Sequence, residues 1–418
     1  MKKIAKLSLV AAVAVAGLTT ANAQPLEEAI KNVETSGSVV YRYNDYSNDT
    51  ADTSSQTNNY KIGLNLASKV NEDVKLNTRF IVGNPDNAGF AQLGNSNIGG
   101  TNGDAADQDT NAEVSLSNVY FGYTGIQNTT VNVGKQGLTT PWTVAIDSDN
   151  NEQTGTGILA LSTVGPVTFA GAYFNQTNLV DSTDSKISTL NGAGTAAQQN
   201  GGGDLRGVLN GDEDVATVGA IVAAGPVTID AWYLDLQDTF DTYTVGAKAA
   251  LDLAGVKLGA DARFASLTLD DDFFGIGTDN SIAKIALTAK AGIVDAKVIY
   301  ATTDKDGGLT ALDNDAVTTV NGWNTTVNGK ADADYWQTTL GVDILSNLNL
   351  SANYNNLQYV NGADADMTEE ELYAQLVYKM SKNFSTYVRY GTYTKDNDTT
   401  NTEVNDDVRG RLQVEYTF

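Results

Sequence analysis

From Gln24 to Phe418 the chain alternates apolar and polar residues, and it gathers no apolar run long enough for a helix to cross a membrane. Val74, Leu76, Phe80 and Val82 share one face of such a segment, opposite Lys75, Asn77, Arg79 and Gly83. Val256, Leu258, Ala260, Ala262 and Phe264 stand opposite Lys257, Gly259, Asp261 and Arg263. The last segment sets Leu412, Val414, Tyr416 and Phe418 against Arg409, Arg411, Gln413 and Glu415. A period of two marks a strand with one apolar and one polar face. A soluble sandwich would show it too. Segments of about ten residues with Lys or Arg on the polar face favour a closed transmembrane sheet, apolar toward lipid and charged toward a wet lumen.

Eight short turns punctuate these segments. They lie at Asn71-Glu72-Asp73, at 125–128, at Val164-Gly165-Pro166, at Ala224-Gly225-Pro226, at Ala254-Gly255, at Ala291-Gly292, at Ser346-Asn347 and at Ser381-Lys382-Asn383. Nine longer connections alternate with them, at about residues 45–58, 84–113, 139–155, 176–213, 237–241, 267–280, 303–332, 359–367 and 395–407. Eight turns join sixteen strands; one more strand enters before the first turn and one leaves after the last. The pattern predicts an all-β fold, an antiparallel transmembrane barrel of about 18 strands (16 being the alternative), with short periplasmic turns and long extracellular loops.

The N-terminus reads as an export leader. Lys2, Lys3 and Lys6 precede an apolar stretch at 7–18, and Ala21-Asn22-Ala23 forms an A-x-A site. Cleavage is expected between Ala23 and Gln24, leaving 24–418 as a single barrel in the outer membrane of a Gram-negative cell. Twelve apolar residues are too few to span the bilayer as a helix.

Charge and missing residue types narrow the function. The chain has 51 acids, 26 bases, no His and no Cys. Ser-His-Asp and Cys-His chemistry, His-ligated metals and disulfides are excluded, and no enzyme activity is expected. Without the three leader lysines, 23 bases face 51 acids, a net of −28, which speaks against a nucleic-acid partner. The nine connections hold 34 of the acids and 5 bases, a net of −29, so the strands and turns are near neutral. Such a mouth concentrates cations and repels anions at low salt. The plainer reading is that these are ordinary solvated-loop residues.

The stretch Pro25-Leu26-Glu27-Glu28-Ala29-Ile30-Lys31-Asn32-Val33, followed by Ser36-Gly37 and Tyr41-Arg42-Tyr43, resembles the N-terminus of the Campylobacter-type major outer membrane porins. The leader residues 5–12 are similar to theirs, as is Gly134-Lys135-Gln136 with Leu138, Thr140, Trp142-Thr143 and Gly155-Thr156-Gly157. Tyr416 and Phe418 resemble the terminal-aromatic assembly signal of outer-membrane proteins. The resemblance implies a homotrimeric, 18-stranded general porin in outer-membrane lipid, passing ions and small hydrophilic solutes. It also implies an inward-folded third loop, here about 139–155, and a calcium ion held by carboxylates near the constriction. The carboxylates of that loop are Asp147, Asp149 and Glu152. The loop departs from the family pattern in Pro141 before Trp142 and in Val144-Ala145-Ile146 before Asp147. No other cofactor is required.

If that loop enters the barrel, Asp147, Asp149 and Glu152 border the constriction. Arg42, Lys61, Arg79, Lys135, Arg389, Arg409 and Arg411 are expected to point inward from the first five and last two strands, which adjoin once the barrel closes. A basic wall facing an acidic loop orients a polar solute across a narrow eyelet. The expected function is a general diffusion porin with cation preference. A substrate-specific channel and a surface adhesin barrel are the alternatives.

Overall fold

The structure is a computed structural model that describes residues 32–84, 87–94, 113–184, 186–187, 203–204, 209–270, 279–361 and 365–418. The leader and its Ala23/Gln24 site lie outside these residues. Eighteen long strands run antiparallel, each to the next, and the last pairs with the first. They begin with β1 (Glu34–Asn48), β2 (Thr53–Lys69), β3 (Val74–Gly83), β4 (Glu113–Ile126), β5 (Thr129–Gly137) and β6 (Thr154–Val164). Next come β7 (Val167–Thr177), β8 (Val215–Ala224), β9 (Val227–Leu236), β10 (Phe240–Leu253), β11 (Val256–Leu269) and β12 (Asp279–Ala291). The wall is completed by β13 (Val294–Thr303), β14 (Ala331–Leu345), β15 (Leu348–Val360), β16 (Asp366–Lys379), β17 (Phe384–Asn397) and β18 (Thr402–Thr417). The barrel is therefore the 18-stranded one that the period and the turns predict.

Local chemistry sets the hairpins. Gly165 and Gly225 open two-residue turns at φ +58° and +61°, with nothing within 4 Å of where a Cβ would sit. Glycine is needed there for the backbone, since a II′ turn places its first central residue at positive φ. The closure seam pairs Ser38 with Thr417 through Asn48 with Asp407. Phe418 extends it: Gly37 N–H donates to Phe418 O at 3.0 Å, and Phe418 N–H returns to Gly37 O at 3.1 Å. The Phe418 ring stacks on Tyr416 at 5.9 Å.

The alternation sorts the side chains. Phe121, Phe169, Val218, Leu287, Leu340 and Val388 are exposed on the outer face, which is lipid-facing in a membrane. The lumen is partly filled from within. The third loop (138–153), the segment after β7 with the helical turn Leu179–Ser182, and the seventh loop (304–330) fold inside and join one another. Leu312 and Asp313 donate their N–H groups to Trp142 O at 2.9 and 3.2 Å, and Asp184 donates to Leu312 O at 3.1 Å. Apolar burial holds them there. Leu138, Trp142, Leu179, Leu309 and Leu312 pack on the inward Phe174, Leu234, Phe240 and Leu267. Val320 and Val327 pack on Ile282, Tyr335 and Leu357. The inner wall is thus oily where loops cover it, and the open lumen is displaced toward β16, β17, β18 and β1.

Candidate pore constriction

The displaced lumen narrows to a cavity of about 430 Å³. Arg42, Arg389 and Arg411 line it from the wall, and Asp147, Asp149, Asp184 and Asp315 from the inward loops, with Trp323 at the tip of the seventh loop.

Asp149 bridges the two sides. Its Oδ1 lies 2.8 Å from Arg42 Nη1 and 3.4 Å from Arg411 Nη1. Arg42 also donates to Ser148 O and to Gln413 Oε1, each at 2.8 Å, and stacks over Phe90 at 4.3 Å. Arg411 donates to Asn44 Oδ1 at 2.7 Å. The tip of the third loop is tied to the basic wall by these contacts, and one carboxylate shared by Arg42 and Arg411 offsets half of their charge.

Glu152 anchors the base of that loop. It is 1% exposed and lies 2.7 Å from both Lys61 Nζ and Arg79 Nη2. Ser117 Oγ donates to it as well. Burial raises the Glu152 carboxyl, but Arg79 and Lys61 outweigh that and hold it below its ordinary range. Lys61 and Arg79 therefore clamp the loop to β2 and β3, and neither lines the cavity.

Asp147 turns the other way. It accepts Asn151 N–H and Nδ2, each at 2.8 Å, and its carboxylate lies with those of Asp184 and Asp313 within 4.8 Å. Burial pushes Asp147 up to about 7, against the Asn151 hydrogen bonds and helped by Asp184 and Asp149. Burial likewise pushes Asp313 up to about 8, with Asp184 and Asp147 adding to it. Among the described residues the buried Asp313 Oδ2 has no hydrogen-bond partner. An orphaned oxygen among three carboxylates fits a hard cation, which takes oxygen ligands. The structure thus groups Asp147 with Asp184 and Asp313, and occupies Asp149 and Glu152 with bases.

Arg409 reaches Asp407 and Asn324, between the rings of Tyr46 and Tyr393. Arg389 donates Nε to Gln375 Oε1 at 2.8 Å and stacks on Trp323, Tyr373 and Tyr387 at 5.0, 5.0 and 5.5 Å. Lys135 is the exception to the inward set. It pairs in register with Val119, shares a face with Val131 and Val133, and donates to Leu116 O at 3.0 Å on the outside of the barrel. Its spacing from those valines carried the signal: residues two apart on a strand share a face.

The sequence marks 303–332 as a long connection but not as one that folds inward, and so gives no role to Asp313, Asp315, Trp323 and Asn324. The available signal was its apolar content: Leu309, Leu312, Val320, Trp323 and Val327 suit a packed loop better than a solvated one.

Comparison with known proteins agrees with this architecture. The crystal structure of Pseudomonas aeruginosa OccK2 (OpdF) superposes with a TM-score of 0.73 at 13% identity, over 93% of this chain and 98% of that one. Acinetobacter baumannii OccAB3 gives 0.73 at 15% identity, over 93% and 99%. A BenF-like porin from Pseudomonas fluorescens Pf-5 gives 0.71 at 16% identity, over 93% and 99%. At such identities the likeness is one of fold. No match is found among curated proteins. A family model described as Campylobacter major outer membrane protein matches residues 1–418, the whole chain. The chain belongs to the Campylobacter major outer membrane protein family and is an outer-membrane porin.

Proposed function

We propose that this porin is a passive, cation-preferring general diffusion pore with its selectivity set at the eyelet beside Asp147 and Asp315. One observation carries the reading. Arg42 and Arg411 already pair with Asp149, while Asp147, Asp184 and Asp315 face the same cavity from the inward loops. The loop charge of −29 works in the same direction by enriching cations at the mouth. The chain carries no His or Cys for chemistry, and its role is passage rather than turnover. The test is the reversal potential of purified protein in a planar bilayer across a KCl gradient. Its sign should report cation preference, strongest at low salt; an anion-selective potential would sink the reading.

Calcium at the constriction belongs to the same proposal, held by Asp147, Asp184 and Asp313 in place of the Asp147, Asp149 and Glu152 set. Held there, calcium would supply two positive charges to Asp147 of the third loop, Asp184 of the segment after β7 and Asp313 of the seventh loop. The trimer is proposed from family membership. Unheated gels should show an oligomer that collapses on boiling, and a lone monomer band under mild conditions would count against it.

A further inference from the structure

We propose that the constriction holds a transit site for small zwitterions, with the solute's carboxylate on Arg389 and its ammonium toward the acids of the inward loops. The proposal rests on the pore reading and names a solute class for it.

Among the described residues Arg389 is the one barrel arginine that reaches no carboxylate. Each of the other five barrel arginines reaches a carboxylate: Arg42 and Arg411 reach Asp149, Arg79 reaches Glu152, Arg263 reaches Asp230 and Arg409 reaches Asp407. Arg389 gives only its Nε to a neutral amide, Gln375, and among the described residues its terminal nitrogens have no partner. Its guanidinium is half-buried at the cavity edge. The rings of Trp323, Tyr373 and Tyr387 surround its guanidinium by cation–π contact, and these contacts take none of its terminal N–H groups. A planar fork held this way suits a carboxylate, which it binds through two parallel hydrogen bonds.

The rest of the cavity limits which carboxylates benefit. Asp315 lines the same space, joined by Asp147 and Asp184 when no calcium is bound, so a plain anion that reaches Arg389 also meets acids. A plain amine gains from those acids but finds nothing to give Arg389. A solute carrying both groups satisfies both sides. A site that is to pass its solute must bind briefly.

The test uses full-length protein in planar bilayers, with three probes added at equal concentration during K⁺ conduction: L-glutamine, its methyl ester and N-acetyl-L-glutamine. These carry both charges, the positive one alone and the negative one alone. Glutamine should halve the current at a concentration about tenfold below either derivative, the scale expected for a charge-assisted pair. R389Q should raise the glutamine value about tenfold, R389K should fall between, and D398N in an outer loop should not move it. Three probes that block alike would overturn the proposal, as would N-acetylglutamine matching glutamine or an R389Q pore with unchanged block. The probe comparison on the unmodified protein decides the matter even if R389Q fails to assemble. Absence of any K⁺ current through the unmodified protein would sink the pore reading, and this proposal with it.

Discussion

Glu371 on β16 accepts the backbone N–H of Trp323, at the tip of the seventh loop, at 2.9 Å. The same carboxylate accepts Asn324 Nδ2 at 2.5 Å and Asn355 Nδ2 at 2.6 Å while 1% exposed. Gly322 permits this approach, because a Cβ there would lie 2.4 Å from Glu371 Oε2. A single wall acid thus fixes the loop tip that brings Trp323 against Arg389 and Arg411. Glu371→Gln replaces one acceptor oxygen by a donor facing donors, at a cost of about 1–3 kcal/mol. Single-channel recordings of this variant, and of Gly322→Ala, should show larger and noisier conductance. Unchanged traces would mean that the loop tip does not set the bore.

The two acids of the third loop should separate in stability. Glu152→Ala strands Lys61 and Arg79 as buried cations and should cost about 3–5 kcal/mol, read as a lower urea midpoint in detergent. Asp149, with its side chain 64% exposed, should cost about 1 kcal/mol or less when replaced by Ala. Equal losses would contradict the clamp assigned to Glu152.

The Asp147–Asp313 cluster gives a pH dependence. Both groups titrate above the ordinary carboxylate range, so the folded protein holds their protons more tightly than the unfolded chain. Their contribution to stability is full below about 4 and is lost as pH rises through about 7 and 8. In chelator-containing buffer, cation preference should rise over pH 6 to 9 while heat resistance falls. Added calcium should restore the resistance at the high end, since it replaces protons among deprotonated ligands. A flat selectivity profile across that range would contradict the placement of Asp147 at the pore.

Lys135 separates the two faces of the wall. Lys135→Ala should leave conductance and selectivity unchanged, because the side chain lies outside the barrel. A selectivity shift comparable to that of Arg389→Gln would put it back in the lumen.

The wall was legible in the sequence because a strand repeats every two residues and a tight turn demands particular residues. The same period places Lys135 with Val131 and Val133 on the outer face, against the inward position expected for it. The lumen was less legible. Asp149 and Glu152 could be listed as loop acids, but nothing local said that one meets Arg42 and the other Arg79, 73 residues earlier in the chain. The seventh loop was hidden for another reason. Its apolar residues follow no period, since they are spaced by the shape of the inner wall rather than by a helix or a strand. Asp313 and Glu371 gain their roles only from that packing.

The central claim is that selectivity resides at an eyelet walled by the third and seventh loops, and one measurement tests it most directly. The reversal potential in a KCl gradient is compared between D147N/D315N, at the cavity, and D396N/D398N/D406N, at the outer ends of β17 and β18 and in the turn between them. Charges more than about 8 Å from the ion path are screened at physiological salt. The eyelet pair should lower the K⁺ to Cl⁻ permeability ratio about threefold or more, and the outer set should leave it nearly unchanged. Equal shifts from the two sets would contradict the account.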